Sequence, residues 1–153
     1  MWLHELNPDF LNQNLKGLFK DTCLSGSLNV LKFLYTLNPN VKIYNPPGLF
    51  GKICEKGNLA VAKWIFEIFK ERGYVIYPQI AFEKACRNES LEMAQWLYEI
   101  SDIDVYDDGR TFKKVCSRKN LMFARWLYSF GCFDIKSQKE YTLEDLTKNY
   151  ISA

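Results

Sequence analysis

Five cysteines, one histidine and a short run of aspartates are the side chains of this 153-residue chain with the most reactive potential. Cys23, Cys54, Cys86 and Cys116 recur about every thirty residues, while Cys132 stands apart. Thiolates can ligate zinc, pair as disulfides or attack carbonyls, and each use imposes a distance. Zinc holds sulfur at about 2.3 Å. A disulfide needs Cα atoms within about 7 Å, and a nucleophile needs a base in hydrogen-bond reach. The four recurring cysteines share one position of a helical pattern, and packed helices lie roughly 8–10 Å apart. The spacing therefore predicts four small buried hydrophobes, and Cys132 reads as a free thiol of a reducing compartment.

Other chemistry finds little footing. His4 has no nucleophile placed against it and reads as an exposed or capping residue. Asp102, Asp104, Asp107 and Asp108 miss the calcium-loop pattern, which needs a glycine and a distal glutamate in register, so a solvated turn is expected. Neither G-x-x-x-x-G-K-[ST] nor G-x-G-x-x-G occurs to hold phosphates. Asn88-Glu89-Ser90 fits a glycosylation sequon, but Ser90 is better explained as a helix cap. We therefore expect no catalytic residue, no metal site and no cofactor: the chain reads as a non-enzyme without a small-molecule substrate.

Basic residues offer a different use. Lys52, Lys84 and Lys114 share one repeat position, with Lys20, Lys113, Arg118, Lys119 and Arg125 nearby. Such a stripe could meet an acidic protein or phosphates. Glu55, Glu83 and Asp21 interrupt it, and a net charge of +2 is small. A solvated helix face is the expectation, with weak nucleic-acid binding kept as an alternative.

The elements that position these residues follow from the repeat. Its copies read F-KDT-C-LSG-SLNVLKFLY, F-GKI-C-EKG-NLAVAKWIF, F-EKA-C-RNE-SLEMAQWLY and F-KKV-C-SRK-NLMFARWLY. Phe19, Phe50, Phe82 and Phe112 form one column; Phe33, Trp64, Trp96 and Trp126 form another. Phe-x-x-x-Cys places both side chains on one face of a first helix. Ser27, Asn58, Ser90 and Asn120 are expected to cap a second helix. Its apolar positions recur with the 3.6-residue period, at Leu31, Ala62, Ala94 and Ala124 and then Leu34, Ile65, Leu97 and Leu127. The aromatic column is expected in the core. Between pairs, Val41 and Ile43, Tyr74 and Ile76, Ile103 and Val105, and Phe133 and Ile135 alternate as in a short extended connector. Turn formers follow: Asn45-Pro46-Pro47-Gly48, Pro78 and Asp107-Asp108-Gly109. The second pair's second helix should run about a turn longer than the others, through Glu67 to Gly73.

A fixed period of this kind predicts an all-α solenoid of stacked helix-turn-helix repeats, each burying its apolar face against its neighbours. One domain is expected, with repeats near 14–44, 45–77, 78–106 and 107–136. Half-units are expected at 1–13 and 137–153. Trp2-Leu3-His4-Glu5-Leu6-Asn7-Pro8 resembles Phe33-Leu34-Tyr35-Thr36-Leu37-Asn38-Pro39, as though the chain began inside a second helix. Composition agrees with a globular body: 48% hydrophobic and 25% charged. No apolar run approaches the roughly 18 residues of a membrane span, and the N-terminus lacks a secretory pattern. A cytoplasmic protein without membrane contact is expected.

The blocks resemble ankyrin repeats, above all the divergent ones of large DNA viruses, which often read A-C-x-x-G-x-L-E-x-A-K-W-L-Y-E. Ala85-Cys86, Ser90-Leu91-Glu92, Ala94 and Trp96-Leu97-Tyr98-Glu99 match, as do Cys54, Gly57-Asn58-Leu59, Ala62-Lys63-Trp64 and Phe66-Glu67. The resemblance covers roughly residues 14–146. The Thr-Pro-Leu-His opening is missing, and the inter-helix glycine of Gly26 and Gly57 becomes Glu89 and Lys119. Another helical-hairpin array is the alternative architecture. The resemblance implies a protein-binding module that grips its partner with connector tips and the exposed side of the first helices. At the connectors those positions are Tyr44, Asn45, Tyr77, Gln79, Tyr106, Asp108 and Arg110. On the first helices they are Glu55, Lys56, Arg87, Asn88, Ser117 and Arg118. A viral chain would imply a host protein as partner, in the host cytoplasm. The alternative is a structural, self-associating stretch of a longer solenoid.

Overall fold

The computed structural model describes residues 8–130, excluding 44, 106–109 and 119. Among the described residues the chain is all-helical, with eight α-helices and no strand. They are α1 (Pro8–Ser25), α2 (Leu28–Leu37), α3 (Pro46–Glu55), α4 (Leu59–Glu71), α5 (Pro78–Arg87), α6 (Leu91–Ile100), α7 (Arg110–Ser117) and α8 (Leu121–Tyr128). The chain forms two compact units, Met1–Tyr77 and Pro78–Ala153. Each holds two helix pairs, α1–α2 with α3–α4 and α5–α6 with α7–α8. Within each unit the first helices of the two pairs pack on each other, α1 on α3 and α5 on α7.

The repeat columns explain the packing. Phe19, Phe50, Phe82 and Phe112 are buried, and so are Cys23, Cys54, Cys86 and Cys116. Leu31, Ala62, Ala94 and Ala124 and the positions three further on are buried too. The aromatic column departs from expectation. Trp96 is buried, Trp64 and Trp126 are half-buried, and Phe33 is 60% exposed. Within each unit, this column faces the pair before it. Trp64 takes the edge of Tyr35 at 5.3 Å, and Trp126 packs on Phe82 and Tyr98 at 6.2 and 6.1 Å.

The link between paired helices has a repeated backbone form. Gly26, Gly57 and Glu89 take left-handed φ values of 82°, 73° and 59°. The next residue, Ser27, Asn58 or Ser90, has φ near −80° and ψ of 77°, 72° or 84°. That is the inverse γ-turn conformation. Leu28, Leu59 and Leu91 accordingly donate their N–H to the carbonyls of Gly26, Gly57 and Glu89. The capping expectation is corrected at three of the four turns, although Asn120 has nearly the same angles, φ −80° and ψ 85°. Ser27, Asn58 and Ser90 make no side-chain cap bond, whereas Asn120 Oδ1 accepts from Phe123 N at 3.1 Å. Glu89 holds the glycine conformation without being glycine.

Connectors and helix ends follow their sequences. Val41, Ile103 and Val105 are buried and Ile43, Tyr74 and Ile76 half-buried, while Lys42, Val75 and Asp104 between them are exposed. Alternation is therefore present without a strand. Asn45 caps α3 through Gly48 N at 3.2 Å, so Pro46, Pro47 and Gly48 form its first turn rather than a loop. The expected extra length appears in α4, which has 13 residues against 10 in α2 and α6. It ends at Gly73, φ 65°, in a Schellman motif: Tyr74 N donates to Phe69 O and Gly73 N to Lys70 O. The Tyr74 ring meets the Phe69 ring edge-on at 5.4 Å, the apolar contact such motifs carry. At the other end, α1 runs 18 residues from Pro8 without a break where the sequence placed a half-unit boundary at 13. Trp2, His4, Cys132, Phe133, Ile135 and the segment 137–153 lie outside the described residues.

Candidate protein-binding surface

The outward residues sit on a backbone held by bonds from one helix pair to the next. In the first unit, Asn58 Nδ2 donates to Leu24 O at 3.1 Å. In the second, the Arg118 guanidinium donates to Arg87 O, the same register position. Arg118 also lies 3.9 Å from the Glu89 carboxylate, to which Asn120 Nδ2 donates at 3.3 Å. The connectors are tied as well. Gln79 donates to Asp104 O and accepts from Asp104 N, both at 3.0 Å. Arg72 donates to Val41 O at 2.9 Å and to Pro39 O, and its guanidinium lies 5.4 Å from the centre of the Tyr35 ring.

These bonds sort the expected binding residues. The Gln79 amide is occupied in holding the next connector, and the Asn45 side chain caps α3. Ser117 is exposed, and its Oγ donates to Lys114 O at 2.8 Å. Arg118 spans the turn of the preceding pair. Glu55 is half-buried; Tyr77, Lys56, Arg87 and Asn88 are exposed. The turns of α5 and α7 bring Arg87, Asn88, Glu89, Ser117 and Arg118 together on one edge of the second unit. Arg110 opens α7. Tyr44, Tyr106 and Asp108 lie outside the described residues. Arg72 belongs to no recurring column, and Glu89, which the pattern marks only as a replacement of the inter-helix glycine, gives no sequence signal of its contacts with Arg118 and Asn120.

Burial pushes the Cys23 thiol up to about 12 and the Cys116 thiol to about 11, so both stay protonated near neutrality. Among the described residues, no group of three or more His, Cys, Asp or Glu could hold a metal ion. Lys52 and Lys114 are exposed and Lys84 half-buried, with exposed Asp21 and Glu83 among them. No helix of the described residues is long and apolar enough to cross a membrane. No protein-family model matches this chain, and no curated protein matches it.

Proposed function

We propose that this chain is a non-catalytic, ankyrin-like protein-binding module that grips a cellular protein through its connectors and first-helix turns. The observation that carries the reading is the division of each block. Its recurring Phe and Cys positions are buried, while dissimilar residues in the turns and connectors, Lys56, Tyr77, Arg87 and Asn88, are exposed. A constant interior with a variable exterior is how stacked repeats are turned into separate binding surfaces. Tyr and Arg are also the types that dominate binding energy at protein interfaces. The resemblance to viral repeats extends the proposal to a host protein in the cytoplasm.

The test is proximity labelling in cells with the wild-type chain and a Tyr77→Ala, Arg87→Ala, Asn88→Ala variant. The variant should keep the wild-type melting temperature and lose the labelled partner. Undiminished labelling by a well-folded variant would remove this surface from consideration.

A further inference from the structure

The same register carries different charge in the two units. Its positions lie two before, and one to three after, each recurring cysteine, at the C-terminal end of a first helix and the turn that follows. In the first unit Lys52 and Lys56 stand against Asp21 and Glu55, a net charge of zero. In the second, Lys84, Arg87, Lys114 and Arg118 stand against Glu89, a net charge of +3 among the described residues. The whole chain carries only +2, so the excess is local to this edge. Helix C-termini attract cations, but that attraction acts equally on α1 and α3, whose edge is neutral.

The cations of the second unit are brought together by its packing. The Arg118 guanidinium donates to Arg87 O at the end of α5 and lies 3.9 Å from the Glu89 carboxylate. Lys114 stands four residues before Arg118, on the same side of the helix end. Since α5 and α7 pack on each other, Arg87, Lys114 and Arg118 share a patch about one helix spacing across, roughly 8–10 Å. Arg87 and Lys114 are exposed, and among the described residues neither has an ion-pair partner.

This pattern fits carboxylates better than a phosphate backbone. A guanidinium takes a carboxylate through two parallel N–H bonds. A nucleic acid needs a longer basic track and aromatic platforms for its bases, and the described residues of this edge include no aromatic side chain. We infer that this edge of the second unit takes an acidic segment of the partner protein, its Asp or Glu side chains paired with Arg87, Lys114 and Arg118. The inference rests on the protein-binding reading above and names the chemistry of that partner. Arg118 is already fixed by its two contacts, so little side-chain freedom is lost when a carboxylate arrives.

Fluorescein-labelled octaglutamate, followed by anisotropy with the full chain at low salt, tests this. Binding should saturate and should weaken as salt is raised, because exposed charges are screened. An Arg87→Ala, Lys114→Ala double variant should bind about tenfold more weakly. A Lys52→Ala, Lys63→Ala variant removes the same charge from the first unit and should bind within about twofold of the wild type. All four side chains are exposed, so both variants should keep the wild-type melting temperature. Three results would overturn the inference. One is no binding of octaglutamate at low salt. Another is an equal loss in both double variants, which would mean attraction by net charge alone. The third is an oligouridylate that binds more tightly than octaglutamate and is lost with Arg87 and Lys114, which would mean a nucleic acid. If the labelled partner of the preceding test is lost with its variant while octaglutamate does not bind, the surface stands and only its acidic ligand falls.

Discussion

A thiol lowered into an apolar helix interface loses access to its charged form. In the folded chain Cys23 and Cys116 release their protons near 12 and 11, against an ordinary value of 9.0. The unfolded chain ionises first, so high pH favours unfolding. The stabilisation is complete below about pH 9 and is lost as pH rises through the folded values. Unfolding free energy followed from neutral pH to about 11 should fall more steeply for the wild type than for Cys23→Ala; parallel curves would place the thiol in contact with water. The aromatic column supplies a second contrast at this scale. Trp96 is 9% exposed and Phe33 is 60% exposed. Trp96→Ala should cost about 3–5 kcal/mol, whereas Phe33→Ala should change stability by well under 1 kcal/mol in dilute solution. Thermal melts that rank these two variants the other way would contradict this difference in burial.

Helix ends carry the next level of control, and glycines with left-handed backbone show it. Gly26 and Gly73 have φ of 82° and 65°. A Cβ on Gly73 would meet nothing within 4 Å, while one on Gly26 would lie 2.6 Å from Asn58 Oδ1. That Asn58 side chain bonds Leu24 O, joining two helix pairs. Gly73→Ala should therefore cost about 1 kcal/mol, the backbone term alone. Gly26→Ala should cost about 2 kcal/mol, because the joining bond is displaced as well. Equal losses in urea titrations would mean that Asn58 swings aside without penalty. Much at this level was legible in the sequence. Phe-x-x-x-Cys marked the buried face of each first helix, and the tail from Glu67 to Gly73 marked the long α4. The absence of side-chain caps at Ser27, Asn58 and Ser90 was not, because residue type reveals an available oxygen and not where the side chain turns: Asn58 Nδ2 goes to Leu24 O, while Asn120, with nearly the same backbone angles, caps α8. Of the outward positions, Gln79 and Asn45 read as binding residues from their place at the connectors. Their amides are occupied by Asp104 and Gly48, and such bonds depend on backbone geometry that no column of residues displays.

Across the whole molecule, the principal helix packings join elements that are next or next-but-one in the chain: α1 with α2 and α3, α3 with α4, and likewise from α5 to α8. The ties between pairs are similarly short in sequence. Asn58 reaches Leu24 across 34 residues, and Gln79 reaches Asp104 across 25. Loop closure over such distances costs little more than closure of a single helix pair, since the entropy grows only with the logarithm of loop length. Chains dominated by local contacts fold in microseconds to milliseconds, while those that must pair distant segments take up to seconds. Stopped-flow refolding from urea, followed by tryptophan fluorescence, should show a main phase of about milliseconds or faster. Proline isomerisation in the unfolded chain would add a minor phase of tens of seconds that a prolyl isomerase accelerates. A dominant phase of seconds that the isomerase leaves unchanged would mean that the rate is set by pairing between distant segments, which the local packing of helix pairs within each unit does not require.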